Sequence, residues 1–326
     1  MNVFLKSVGA LVFTAILVLS ITARAEDFPS KTVTIIVPFA AGGSSDVGAR
    51  VLAQKLSESF GKPVVVENKP GANGQVAASA VKLAAPDGHT LMWVSHGVLA
   101  INPSIYAKLT YDPIADFAPI SSVFRSTHFL LVPANSPYKT AAELVKAAKD
   151  NPGKLTFASV GVGSGSHLVG ELFRSANKLD VTHVPYKGST SAVPDVLAGR
   201  VDFFFDGPGV SVPLVKEGRL RALAVTDSQR YAEVSDVQTM AEAGFPGQEL
   251  NSWFGIVSLA GTPKPVITKL HEKVVEALKS PDSAARIAVV GGIVAPSASP
   301  EEFVAFIAKE RERLGAIAVA AGVKPE

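Results

Sequence analysis

No cysteine occurs in the 326-residue sequence, which excludes disulfides, thiolate metal sites and lipid attachment through a cysteine. A surplus of charge is missing too. The chain has 31 Lys and Arg against 29 Asp and Glu, and Lys6 and Arg24 lie in the first 25 residues, where there is no acid. The balanced remainder argues against a nucleic-acid partner and against a strong electrostatic hold on membranes. The six histidines lack the paired spacing of a zinc site, and no glycine-x4-glycine-lysine phosphate loop is present, so no metal and no cofactor are expected. Neither Ser164 nor Ser166 sits in a glycine-x-serine-x-glycine elbow, and the 161–166 turn lacks the third glycine of the dinucleotide fingerprint. Nothing here marks an enzyme.

Apolar runs of membrane-spanning length are also absent. The longest, over 8–21, falls short of the ~20 residues a spanning helix needs. It follows a weakly basic start and precedes Ala23-Arg24-Ala25, the small-x-small pattern of a secretory cleavage site. Residues 1–25 therefore read as a signal peptide cleaved after Ala25.

The rest alternates apolar strand-like runs with helical spacing, the pattern of an α/β fold with largely parallel sheets. Strands are expected at 32–37, 64–67 and 91–94, then at 129–132, 155–158, 181–184, 201–205 and 220–225. The spacing predicts helices over 75–83 and 167–175 and, late in the chain, a strand at 253–259 and helices from 265 and from Ser299. The last elements need a sheet to cover, which is met by returning them to the first domain. The chain then crosses twice, near 120–128 and 225–232. One lobe comprises 26–125 and 229–326 and the other 126–228, with a hinge and a cleft between them.

Two glycine- and serine-rich turns stand out at strand-to-helix junctions, 38–46 and 159–167. A helix start carries unpaired N–H groups and about half a positive charge, so two such turns facing each other would hold an anion. Neither turn contains Lys or Arg. Asp46 reads equally well as a helix cap. Ser95, His96 and Gly97 follow one strand, and Asp206 follows the very apolar Phe203-Phe204-Phe205; these positions suit the far end of a bound solute.

Further motifs carry a resemblance. They are Val37-Pro38-Phe39 with Gly42-Gly43 and Asp46 through Arg50, Glu67-Asn68 with Pro70-Gly71-Ala72, Pro86-Asp87-Gly88 and Ile101-Asn102-Pro103. Later come Gly163-Ser164 with His167, Val184-Pro185-Tyr186-Lys187-Gly188, Ala241-Glu242-Ala243-Gly244 and Gly261-Thr262-Pro263. In this order, over essentially the whole mature length, they resemble the Bug family, the extracytoplasmic solute receptors of tripartite tricarboxylate transport systems.

The resemblance implies a two-lobed periplasmic-binding-protein fold of type II. It implies a periplasmic, monomeric protein that closes on a small carboxylate and docks on integral membrane subunits. On the first side of the cleft it places Phe39, Ala40, Gly42, Gly43, Ser44 and Asp46. Gly163, Ser164, Gly165, Ser166 and His167 stand on the second, with Tyr186 and Lys187 nearby. Uptake is the first reading, with presentation of the loaded form to a membrane sensor, or an enzyme on the same fold, as the alternatives.

Overall fold

The computed structural model describes residues 28–320 and 322; the expected signal peptide and its cleavage point lie outside them. Among the described residues no helix is long and apolar enough to cross a membrane. The strands, in chain order, are β1 (Val33–Val37), β2 (Val64–Asn68), β3 (Thr90–Ser95), β4 (Phe117–Ser126), β5 (Phe129–Pro133), β6 (Thr156–Ser159), β7 (Thr182–Pro185), β8 (Phe203–Asp206), β9 (Leu220–Val225), β10 (Ser252–Leu259) and β11 (Gly292–Val294). They form two sheets, one in the order β11-β4-β10-β3-β1-β2 and the other in the order β7-β6-β8-β5-β9. The fold is α/β and two-lobed, one sheet to a lobe.

Helices α1 (Ser44–Phe60), α2 (Gln75–Lys82) and α3 (Asn102–Ile105) belong to the first pass through the chain. Then come α4 (Ala141–Asp150), α5 (Gly165–Ala176), α6 (Ser189–Leu197) and α7 (Pro208–Lys216), and finally α8 (Lys264–Lys279), α9 (Pro281–Val289) and α10 (Pro300–Ala320).

Strand side chains point to alternate faces, so a strand buried on both faces is apolar throughout. In the first sheet Ile35 and Trp93 pack with Leu52 and Leu56 of α1 and with Leu270 and Val274 of α8. Their neighbours Ile36, Met92 and Val94 belong to the opposite cluster, with Ala77 and Val81 of α2. The second sheet divides the same way. Phe203 and Phe205 face Phe173 of α5, while Phe204 faces Val196 of α6 and Val212 of α7. The cluster holding Met92 and Val94 continues through Trp253 and Phe303 to Phe173 and Phe205, so apolar packing joins the two lobes.

The sheets are mixed rather than largely parallel. Pairs β1–β2, β1–β3, β6–β7 and β6–β8 are parallel, but β10 runs against both β3 and β4, and β5 against both β8 and β9. These two are the strands by which the chain returns to the first sheet and enters the second. Each arrives without the crossover helix that a parallel neighbour requires.

The first crossing spans only residues 127–128, between β4 and β5. The return, expected near 225–232, comes later, where β10 begins at Ser252. Residues after β9 stay bonded to the second sheet: Met240 N–H donates to Val225 O at 2.9 Å, Thr226 Oγ1 donates to Leu250 O at 2.9 Å, and Phe245 packs on Phe173. A boundary at 228–229 therefore cuts through a segment still attached to that sheet. This segment has almost no regular strand or helix, so periodicity gave it no address. Beside the crossings, Arg125 of β4 is ion-paired with the buried Asp227.

Candidate functional site

Parallel strands deliver their following loops to one edge of a sheet. The turn 38–46 follows β1, Pro70–Gly74 follows β2 and Ser95–Gly97 follows β3; in the other lobe the turn 159–167 follows β6, Tyr186–Gly188 follows β7 and Asp206–Gly207 follows β8. Carboxyl ends of strands in open α/β sheets are where ligands bind.

The first turn is built around Asp46. Its carboxylate accepts from the Gly42 N–H at 3.0 Å, from Arg50 Nε at 2.9 Å and from Asn68 Nδ2 at 2.9 Å. Asn68 also donates to Phe39 O. Burial opposes the Asp46 charge, but these three partners outweigh it and hold the carboxyl below its ordinary range. Asp46 thus shapes the loop. Gly42, at φ +88°, supplies a left-handed bend that a side chain would strain. Phe39 is half-buried against the α1 side of the core, whereas Ala40, Gly42 and Gly43 are exposed and Ser44 half-buried.

Gly43 is different. It is the N-cap of α1 in ordinary extended conformation (φ −81°), and a Cβ there would meet only Ala40 O, at 3.9 Å. Neither backbone nor packing requires glycine, and its presence leaves the first N–H groups of α1 uncapped. Gly207 repeats the pattern at the start of α7, with φ −75° and only ordinary contacts for a Cβ. Helices α4 and α10, by contrast, carry capping boxes in which Thr140 and Ser299 accept from the N–H groups of Glu143 and Glu302.

The second turn is mostly buried. Ser164 caps α5 by accepting from His167 N–H at 3.1 Å and donates to Gly161 O at 2.6 Å, and the Ser166 hydroxyl donates to Phe205 O. Both hydroxyls expected to face an anion are spent inside the lobe. What remains toward the cleft is main chain, since the first-turn N–H groups of Gly165 and Ser166 have no intrahelical acceptor. His167 is likewise turned inward. Its Nδ1 accepts from Gly163 N–H at 3.1 Å, its Nε2 lies 3.8 Å from Glu171, and its ring stacks on His183 at 4.0 Å. Burial, then His183 and Arg174, push its pKa down to about 3, so the ring is neutral.

Tyr186 and Asp206 are also satisfied from within. The Tyr186 hydroxyl donates to Asp195 at 2.8 Å, and Lys187 is exposed. Asp206, 2% exposed, accepts from Ser189 Oγ at 2.6 Å and Ser211 Oγ at 2.8 Å, tying the starts of α6 and α7 together. Burial raises its pKa to about 6 despite those bonds. Ser95 is buried at the end of β3. No group of His, Asp and Glu suited to a metal ion occurs among the described residues.

The lobes touch through glycine. A Cβ on Gly163 would lie 2.7 Å from Asn73 Nδ2, and Gly97 approaches the Gly163 carbonyl. Asn73 sits in the left-handed region (φ +47°), anchored to Asn102, which also bonds Tyr111. Its position opposite the second turn was missed from sequence, although an asparagine between Ala72 and Gly74 is the local signal of such a bend. His128 and Ser252, which face Gly165, were missed as well; both lie at the lobe crossings, and no short-range pattern marks them.

Comparison with known proteins decides the family. The pattern described as the tripartite tricarboxylate transporter family receptor matches residues 48–323. The chain belongs to that family. It is 33% identical over 314 residues to protein BugT of Bordetella pertussis, covering 96% of each chain. Among solved structures, an R. palustris protein with adipate is 35% identical with a TM-score of 0.83, covering 92% of this chain and all of the other. MatC from Rhodopseudomonas palustris, with bound malate, is 33% identical with a TM-score of 0.79, covering 89% of this chain and 99% of the other. The Bug resemblance read from the motifs is thereby supported by the whole chain, and the family is one of solute receptors, not enzymes.

Proposed function

We propose that this receptor works in the periplasm as a monomer, captures a small mono- or dicarboxylate between its lobes, and delivers it to the membrane subunits of a tripartite tricarboxylate-type transporter. The observation that carries the reading is the pair of helix starts, α1 and α5, with N–H groups left free at the cleft edge. At α1 this freedom comes from a glycine, Gly43, that the backbone does not need.

Main-chain donors fit a cargo that must be released. Each hydrogen bond to a charged group contributes about 1.5–3 kcal/mol, so three give much of the ~8 kcal/mol of a micromolar complex. No cation lies within either turn. The relatives solved with adipate and malate support the ligand class. Closure of the lobes, with Asn73 and Gly97 meeting the second turn, would then present a surface that only the loaded form offers.

The test is calorimetric titration of the mature protein with a panel of mono-, di- and tricarboxylates, after refolding to remove co-purified acid. One-to-one micromolar binding of a subset supports the reading. Silence across the panel defeats it.

A further inference from the structure

His96 follows β3 and is 4% exposed; His128 lies in the two-residue link between β4 and β5 and is also buried. Both ring nitrogens of His96 and Nδ1 of His128 are buried without a well-formed hydrogen bond, the main chain of Trp253 and of Leu250 offering them only weak acceptors, while His128 Nε2 stands 3.4 Å from Ser252 Oγ. The edges of Trp253 and Phe254 flank the His96 ring. Over this trio lies the start of α5. A Cβ on Gly165 would collide with Ser252 Oγ, stand 3.0 Å from His96 Nε2 and 3.2 Å from His128 Cε1.

Buried polar side chains in folded proteins nearly always have partners, and a ring serving only to fill space here would be phenylalanine. His96 instead brings one donor and one acceptor to the place where the free N–H groups of α5 emerge. Burial lowers the pKa of both His96 and His128 to about 4, so the donors are neutral. The charged groups of the elements packed around them are engaged elsewhere. On α10, Glu310 is held by Arg313 at 2.8 Å and by Trp253 Nε1; on α5, Glu171 is held by Arg174 at 2.7 Å and lies beside His167. Those acids are neutralised by their own partners and do not compete for the imidazoles.

The structure assigns His96, backed by His128 and Ser252, as the specificity-determining contact of the first lobe, donating a hydrogen bond to the solute carboxylate that the α5 start holds from the second. This assignment rests on the carboxylate reading above. A carboxylate shared in this way is bonded from both lobes only when they are together, which couples recognition to closure.

The experiment uses malate and adipate as probes, with His96→Phe and His96→Gln beside the wild type. Phenylalanine keeps the packing on Trp253 and Phe254 and loses the hydrogen bond; glutamine restores a donor. The expected result is an affinity about tenfold or more weaker in His96→Phe and largely recovered in His96→Gln. Unchanged affinity in His96→Phe, or a His96→Gln as weak as the phenylalanine variant despite an intact fold by circular dichroism, overturns the assignment and leaves the carboxylate reading standing. A wild type that binds no acid of the wider panel defeats that reading, and the assignment with it.

Discussion

The Gly163 N–H donates to Nδ1 of His167, four residues on, at 3.1 Å, closing the second turn over the first residues of α5. Gly163 is left-handed at φ +75°, and the imidazole meets a main-chain donor inside the lobe. The ring holds the turn in the shape that sets the start of α5. His167→Ala leaves that N–H unsatisfied. The expected cost is about 1–3 kcal/mol of stability with affinity reduced no more than about tenfold, because the solute loses geometry and no direct bond. Thermal unfolding and titration of one preparation check it; abolished binding at an unchanged melting temperature would put the ring on the solute itself.

At the first turn the expected outcome is the reverse. Gly43 is exposed, extended and free of close contacts, so Gly43→Glu should fold with a melting temperature near that of the wild type. Its carboxylate would lie over the N–H groups of α1, and affinity for the solute should drop below detection. Undiminished affinity would remove this turn from the site.

Stability should fall in acid, with a compensating term from one residue. His96, His128 and His183, with pKa values lowered to about 4, and His167, lowered to about 3, take up protons more readily unfolded than folded. Their contribution is intact above the ordinary imidazole pKa and is lost as pH falls toward 4. Asp206 has the opposite sign. With a folded pKa raised to about 6 it binds a proton more readily folded, so its term grows as pH falls from 6 toward 4, by about 3 kcal/mol. Four bases outnumber one acid and the net slope follows the histidines. Asp206→Asn, which keeps hydrogen bonds to Ser189 and Ser211, should therefore lose stability more steeply between pH 6 and 4 than the wild type. Chemical denaturation at several pH values reads the difference.

Local physics made much of this legible. Strands such as β3 and β8 are apolar on both faces, the capping box at Thr140 is spelled out in four residues, and both glycine turns fall where strands end and helices begin. Chain direction at the crossings was not legible, because a strand carries no mark of which neighbour it will run against. Nor could sequence tell that Ser164, Ser166, Tyr186 and Asp206 satisfy their polar groups at home: Ser166 finds the Phe205 carbonyl 39 residues away and Tyr186 finds Asp195 on the next helix. The polar groups of His96, His128 and Ser252 meet only because β3, the first crossing and β10 come together.

The ordinary backbone at Gly43 and Gly207 bears on how this protein can be improved or spoiled. A serine or aspartate would fit at either position and cap its helix for a gain of a few tenths of a kcal/mol. A campaign of directed evolution scored on heat resistance alone would accept such changes readily. At Gly43 the new oxygen would occupy, in every molecule and at all times, the N–H groups that α1 now holds open, and the hardened protein would carry its own competitive inhibitor.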